Sequence, residues 1–251
     1  MLPKPLSQEF RRLLQKAVLK ARSVAEKGAR ASLESLAVHE PDPYKTLRPE
    51  QKELRRELIA LAKQLGDDED PRKKGGLKID HLSEKLAYQA WHRLFFARLL
   101  LENKLLVHPK HGVELNFEEL QQFAHEDKSG LTDPWKVASD FTVELLPGVF
   151  PPDDPSNHVD IPAREAQELR RILTDLPIDV FLGGDTLGWN YQYWQEEQKQ
   201  EINDSGVKIG QEELSPVTQL FTEDYMIDFL SQYPRGVVGR EEVPKWDRGP
   251  R

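Results

Sequence analysis

A mainly α-helical fold, an irregular multi-helix domain with long proline-rich loops, is what this sequence predicts. Apolar residues recur at three- and four-residue spacing in several separate stretches, which is typical of amphipathic helices. No stretch of useful length alternates apolar and polar residues as a half-buried strand would. Most of the 18 prolines lie between the periodic stretches, where they favour extended connections. We therefore expect helices joined by irregular loops.

The first two helices are predicted over residues 7–30 and 48–65. Each has one apolar stripe, and Pro41 and Pro43 favour an extended connection between them. A helix with a single stripe packs that stripe against a core and leaves its other face in water. The stripes consist of Phe10, Leu14, Ala17, Val18, Ala21 and Ala25 in the first helix, and of Leu54, Leu58, Leu61, Ala62 and Leu65 in the second.

The strongest helical signal covers residues 79–106, which are apolar around most of the helix circumference. A helix with this pattern is usually buried between neighbours, so we expect it near the centre of the fold. His92 lies inside it and is expected to be a hydrogen-bonded core or interface residue. The preceding polar stretch, "GDDEDPRKKGG", predicts a flexible linker or loop tip.

Shorter helices are predicted over residues 116–126, 133–146 and 163–175. The last two are separated by "LPGVFPPDDPSNHVDIP", whose five prolines predict an irregular loop. The glycine-containing stretch "FLGGDTLG" lacks the G-x-G-x-x-G spacing of a phosphate loop, and no strand precedes it. It predicts a turn followed by a helix that Asp185 or Thr186 caps and that runs to about residue 203.

No catalytic set is visible among the residues. The chain has no cysteine, which excludes disulfides, thiolate metal sites and a Cys nucleophile. "HPKHG" offers two histidines without further ligands nearby, so we expect no metal site. Asp153 and Asp154 lie in a proline-rich loop and are expected to be solvated rather than to act in acid–base chemistry.

The start of the chain has no secretory pattern, and no run is apolar enough to span a membrane. We therefore expect a cytoplasmic protein without a membrane partner.

Positive charge is concentrated at the start of a chain whose net charge is −8. The first 30 residues hold eight Lys and Arg residues but only two carboxylates. Two interpretations stay open: a solvated helix face, or a basic helix that lies along DNA phosphates. The residues that would contact DNA are Arg11, Arg12, Lys16 and Lys20.

Five parts of the chain are predicted from these patterns. They are N-terminal helices with a basic first helix (1–65), a flexible polar linker (66–78), a helical core domain (79–215), a helix (216–230) and a polar tail (231–251).

Four stretches, in this order, resemble the N-terminal region of the large adenine-specific DNA methyltransferases of BREX and Pgl phage-defence systems, which are related to fused restriction-modification methylases. The resemblance covers roughly residues 80–230. It implies a fragment or subunit of an enzyme that transfers a methyl group from S-adenosylmethionine to adenine N6. The stretches are "KLAYQAWHRLFFARLLLENKLL", "LLPGVFPPDD", "DTLGWNYQYWQEEQKQEIN" and "TQLFTEDYMIDFLSQ".

In that family the segment similar to "TQLFT" precedes the methyltransferase domain and lines one side of the cofactor pocket. The resemblance therefore implies that Phe221 and Thr222 approach S-adenosylmethionine, where a helix N-terminus suits its carboxylate. Glu223 departs from the family pattern, since relatives often have proline there. An acidic residue favours a helix start but would repel a carboxylate if its side chain pointed inward.

The family's glycine-rich cofactor loop and its Asn-Pro-Pro-aromatic motif do not occur in these 251 residues. The second motif grips the exocyclic amine of a flipped adenine. We therefore expect the chain to be inactive alone and to act with a separately encoded methyltransferase chain or other defence-system subunits, with duplex DNA as a partner. The alternatives are a stand-alone helical interaction or regulatory module with no DNA or cofactor role, and a gene remnant with no activity.

Overall fold

The computed structural model describes residues 4–126 and 133–205, with side chains described as far as residue 196. The described residues form seven α-helices and two short 3₁₀ turns, which confirms the predicted mainly α fold. The helices are α1 (Gln8–Ser35), α2 (Pro49–Gln64), α3 (Asp80–Glu102), α4 (Phe117–Glu126), α5 (Pro134–Leu145), α6 (Ala163–Thr174) and α7 (Thr186–Ser205), and the 3₁₀ turns are Pro155–His158 and Ile178–Val180.

The described residues divide into two compact units. One unit consists of residues 8–182 and therefore contains α1 to α6. The other consists of residues 4–7 together with residues 183–205. The predicted helix 216–230 and the predicted tail 231–251 lie outside the described residues.

In the unit of residues 8–182, α3 packs against α1, α5 and α6, as its all-round apolar pattern predicts. Trp91 and Phe95 are its largest fully buried side chains, and Phe95 also contacts the ring of Phe181 with 5.2 Å between centroids. Helix α1 packs on α6 as well as on α3. The predicted N-terminal helices and the predicted core domain thus contribute to one hydrophobic core.

Helix ends differ from the predicted ends where side chains or local backbone geometry intervene. The prediction placed the end of α3 at residue 106, but the helix ends at Glu102. Lys104 takes a positive φ of 58°, which is the left-handed conformation that terminates many helices. The side-chain amide of Asn103 donates to the carbonyl of Phe181 at 2.8 Å and anchors this end in the core.

The stretch of residues 66–78, predicted as a linker, supplies the cap of α3. Asp67 is only 4% exposed, and its carboxylate accepts hydrogen bonds from the backbone N–H groups of His81 and Leu82 at 3.0 and 2.9 Å. Ile79, the residue at the N-cap position, makes no side-chain cap bond. The carboxylate of Asp67 therefore satisfies two amides that α3 leaves without partners in its first turn.

A buried arginine holds the connection between α1 and α2. Arg55 donates from Nε to the carbonyl of Ala37 at 2.9 Å and from Nη2 to the carbonyl of Glu40 at 2.6 Å. Ala37 has a positive φ of 56°, where the chain turns away from α1. The guanidinium thus adds hydrogen bonds to carbonyl groups of a turn that also has backbone hydrogen bonds, such as the one from the N–H of Glu40 to the carbonyl of Ala37 at 3.1 Å.

In the other unit, the glycine-containing stretch forms a turn and the start of α7, as predicted. A Cβ atom on Gly183 would lie 2.8 Å from Cγ of Leu6, so the close approach of Leu6 requires glycine. The buried carboxylate of Asp185 accepts from the backbone N–H of Leu6 at 2.7 Å and from the indole N–H of Trp189 at 2.8 Å. These contacts give the stretch a structural role.

Candidate nucleic-acid interface

Helix α1 has an apolar inner face and a cationic outer face. The inner face, which includes Leu14, Val18 and Ala25, is fully buried. The cationic side chains of the outer face are exposed and follow one another at spacings of four, four, seven and three residues, so they form one column on the helix. This column, called here the basic face of α1, consists of Arg12, Lys16, Lys20, Lys27 and Arg30.

Carboxylates neutralise only part of the basic face. Lys20 pairs with Glu168 of α6 at 2.7 Å, and Arg30 pairs with Asp80 at the start of α3. Arg12, Lys16 and Lys27 make no ion pair with any residue in the described ranges. Arg12 and Lys16 are adjacent on the helix surface, about 6 Å apart along its axis. Positive charge is therefore least compensated near the N-terminal end of the helix.

Glu168 is the carboxylate that neutralises the middle of the basic face. Hydrogen bonds from Arg171 and Lys20 lower the pKa of Glu168 to about 2, so it stays ionised at neutral pH. Arg171 also pairs with Asp175 at 3.2 Å. A cleft of about 530 Å³ between α1 and α6 is lined by Lys27, Arg171 and Glu168 among others. Charges of both signs balance in this region, in contrast to the first turns of α1.

The predicted DNA-binding residues do not all share one face. Arg12, Lys16 and Lys20 are exposed and lie together in the column, whereas Arg11 is partly buried and points about 100° away from Arg12 around the helix. Lys27 and Arg30 belong to the same face but are absent from the predicted set. Lys27 lies seven residues, about two helical turns, after Lys20, and Arg30 lies three residues after Lys27, which is the sequence signal that identifies them.

His92 is partly buried in an aromatic cluster. Its ring contacts those of Tyr88, Phe96 and Phe150, with centroid distances of 4.7, 4.6 and 5.4 Å. Burial lowers its pKa to about 4, so the imidazole is neutral at physiological pH. His92 contacts the buried ring of Phe150, while part of its own side chain stays exposed. The predicted side-chain hydrogen bond does not occur with any described residue, and ring contacts hold the imidazole instead.

The two histidines of "HPKHG" lie in a turn between the bridge partners Val107 and Glu114. The imidazole rings of His108 and His111 are 4.5 Å apart, and Nδ1 of His108 accepts a hydrogen bond from the backbone N–H of Lys110 at 3.1 Å. Among residues 4–126 and 133–196 there is no group of three or more potential His, Cys, Asp or Glu metal ligands. The ring of His108 packs against aromatic side chains of α4 and α5.

The two residues predicted to approach the cofactor, Phe221 and Thr222, lie outside the described residues. No helix in the described part of the chain combines the length and apolar character needed to cross a membrane.

No protein-family model matches the chain, and searches of curated proteins and of solved structures find no match.

Proposed function

We propose that this chain is the DNA-contacting N-terminal region of an adenine-specific (N6) DNA methyltransferase of a restriction-modification or BREX-like phage-defence system. DNA contact is inferred from Arg12 and Lys16. These two residues are exposed, adjacent on α1 and without an ion pair in the described part of the chain. The methyltransferase assignment rests on the resemblance of the four stretches between residues 80 and 230.

The charge distribution favours a local contact with phosphates. Lys and Arg side chains that neutralise phosphates supply most of the sequence-independent affinity for DNA and release counterions. The chain as a whole is acidic, so its remaining surface would repel the duplex and orient the basic face of α1 toward it. Such contacts position a protein on DNA but do not read base sequence.

Methyl transfer requires parts that these 251 residues do not contain. The methyl donor would be S-adenosylmethionine, bound by a methyltransferase chain or domain with a glycine-rich loop and an Asn-Pro-Pro-aromatic motif. The glycine-containing stretch at Gly183 does not fit that cofactor, because Leu6 occupies the space beside the glycine. In the proposed division of roles, this cytoplasmic chain contacts duplex DNA and a separate catalytic part performs the reaction.

The basic face is tested by replacing Arg12 and Lys16 together with alanine. We expect weaker binding to duplex DNA of any sequence, and a decrease of about 2 in the slope of log K against log salt concentration, because two phosphate contacts are lost. The measurement is fluorescence anisotropy with a labelled duplex over a series of salt concentrations.

A matched control removes the same charge elsewhere. Lys45→Ala/Lys52→Ala deletes two exposed cations from the α1–α2 connection and from α2. This variant should bind as the unchanged chain does. Equal loss of affinity in both double variants would show that only net charge matters, and no salt-dependent binding by the unchanged chain would exclude the interface.

A cleft beside α2 favours a second function, a helical protein-interaction module. It has a volume of about 690 Å³, and Leu36, Leu54 and Val159 form an apolar part of its lining. An apolar side chain of a partner protein would fit such a surface. In this case Leu54→Ser would weaken binding of the partner, whereas the Arg12→Ala/Lys16→Ala variant would bind it normally and no DNA binding would be seen.

A further inference from the structure

The basic face of α1 has one gap in its spacing, between Lys20 and Lys27. These two cations are seven residues apart, which corresponds to about 10 Å along the helix axis. Ser23 occupies the gap, three residues after Lys20 and four residues before Lys27. With Ser23 included, the column continues at three- and four-residue spacing from Arg12 to Arg30, and Ser23 is its uncharged member.

Ser23 lies close to the centre line of the column. Successive residues of an α-helix are about 100° apart, so Ser23 points within about 20° of the directions of Lys16 and Arg30. Lys20 points about 60° to one side of Ser23, and its ammonium pairs with Glu168 of α6. The centre line of the column between Lys16 and Lys27 is therefore occupied by the side chain of Ser23.

The hydroxyl of Ser23 is exposed and makes no hydrogen bond to any residue in the described part of the chain. Other exposed helical hydroxyls bond to their own helix. Ser35 donates to the carbonyl of Ser32 at 2.8 Å, and Thr174 donates to the carbonyl of Arg171 at 3.1 Å. Because the hydroxyl of Ser23 is not bonded in this way, its O–H is available to donate to a ligand on the outer face of α1.

Two carboxylates flank the middle of the basic face, and both have cationic partners. Glu26 accepts from Nε of the buried Arg22 at 2.7 Å, and Glu168 pairs with Lys20 at 2.7 Å. By contrast, three cations of the basic face make no ion pair with any residue in the described ranges. A phosphate group beside Ser23 would therefore meet a positive potential.

We propose that the hydroxyl of Ser23 donates a hydrogen bond to a phosphate of the DNA backbone, so that α1 follows the backbone along its outer face. The column from Arg12 to Arg30 is about 27 Å long. Each strand of a duplex carries one phosphate per about 3.4 Å of its axis, so acceptor oxygens recur closely enough to meet the column between its cations. Serine hydroxyls are common donors to phosphates in protein–DNA complexes. This inference rests on the proposed DNA contact and adds an uncharged contact to it.

Ser23→Ala removes the hydroxyl and leaves the charge of the chain unchanged. We expect it to weaken binding of a labelled duplex about threefold, as the loss of one hydrogen bond at a hydrated surface does. The slope of log K against log salt concentration should not change, because no charge is lost. Alanine is a better helix former than serine, so the thermal midpoint should not fall and unfolding would not explain the weaker binding.

Ser23→Asp places a carboxylate on the centre line of the column. It should weaken duplex binding about tenfold or more and lower the salt slope by about 1, because the carboxylate repels a phosphate and offsets one cation. The matched controls are Thr46→Ala and Thr46→Asp. Thr46 has an exposed hydroxyl in the α1–α2 connection that makes no hydrogen bond to any described residue. Both control variants should bind the duplex as the unchanged chain does.

The outcomes separate this contact from the proposed function. If Arg12→Ala/Lys16→Ala weakens binding but Ser23→Ala binds as Thr46→Ala does, the contact of Ser23 is wrong and the DNA interface stands. Equal losses in Ser23→Asp and Thr46→Asp would likewise overturn the contact, since only net charge would then matter. If the unchanged chain does not bind the duplex, the DNA interface is overturned and the contact of Ser23 with it.

Discussion

Replacing Arg98 with alanine is expected to lower the free energy of unfolding by about 3–5 kcal/mol, because two buried carbonyl groups lose a charged donor and a cavity forms. Arg98 lies on α3 and is only 6% exposed. Its Nη1 donates to the carbonyl of Leu173 and its Nη2 to the carbonyl of Leu176 at 2.9 Å, at the C-terminal end of α6. The guanidinium carbon also lies 4.4 Å from the centre of the Phe181 ring.

The size of this effect follows from the position of the guanidinium. The last turn of a helix leaves carbonyl groups without partners and carries a partial negative charge, so a cation there is favourable. A planar group with several donors can reach two carbonyls at once. Arg98→Lys should therefore recover only part of the lost stability, since an ammonium group does not span both carbonyls and stack on Phe181.

Urea unfolding of the full chain, followed by far-ultraviolet circular dichroism, measures this change. Arg56→Ala is the control, because Arg56 is an exposed residue of α2 whose ion pair is with the exposed Glu53. Exposed pairs contribute about 0–1 kcal/mol, so this variant should remain close to the unchanged chain. A loss below 1 kcal/mol for Arg98→Ala would contradict a structural role for these hydrogen bonds.

The second large effect is a loss of about 3 kcal/mol in stability between pH 7 and pH 4 that depends on His92. Burial among Tyr88, Phe96 and Phe150 lowers its pKa from 6.5 to about 4. In this range the unfolded state binds a proton that the folded state does not bind. Stability therefore decreases as the pH falls from 6.5 and reaches its full loss below pH 4.

Urea unfolding at pH 7 and at pH 4 gives the difference for each variant. His92→Gln should lose this part of the pH dependence, whatever its stability at pH 7. His125→Gln changes an exposed histidine of α4 and should retain the difference seen in the unchanged chain. Asp154 contributes little to the difference between pH 7 and pH 4. Burial opposes its ionisation, but hydrogen bonds from Lys85 and Ser156 lower its pKa to about 2, so it stays ionised in the folded state at both pH values. An unaltered pH difference in His92→Gln would contradict the assignment.

Each of the seven observed helices overlaps a predicted one. Apolar spacing predicts the main helices, because an amphipathic stripe is a local property of the sequence, whereas α7 follows from a turn and a capping residue. The central position of α3 followed in the same way from its apolar circumference. Part of the basic face of α1 can also be predicted from the sequence, since residues four apart lie on one face of any helix.

The spacing of apolar residues does not predict long-range contacts between polar side chains and the backbone. Asp67 caps α3 from a stretch that reads as a polar linker, and its two partners are 14 and 15 residues away. Arg98 bonds to carbonyl groups 75 and 78 positions along the chain. Polar residues of this kind look like surface residues in a sequence, because nothing local shows which backbone groups the fold will bring to them.

The sequence by itself determined the helical class, the approximate helix positions and three exposed cations on the outer face of α1, which are Arg12, Lys16 and Lys20. Only the tertiary structure decided which cations of that face are neutralised, because Glu168 and Asp80 reach it from α6 and α3. Periodicity places a side chain on a face of its own helix, but the packing of helices against one another determines which groups meet there.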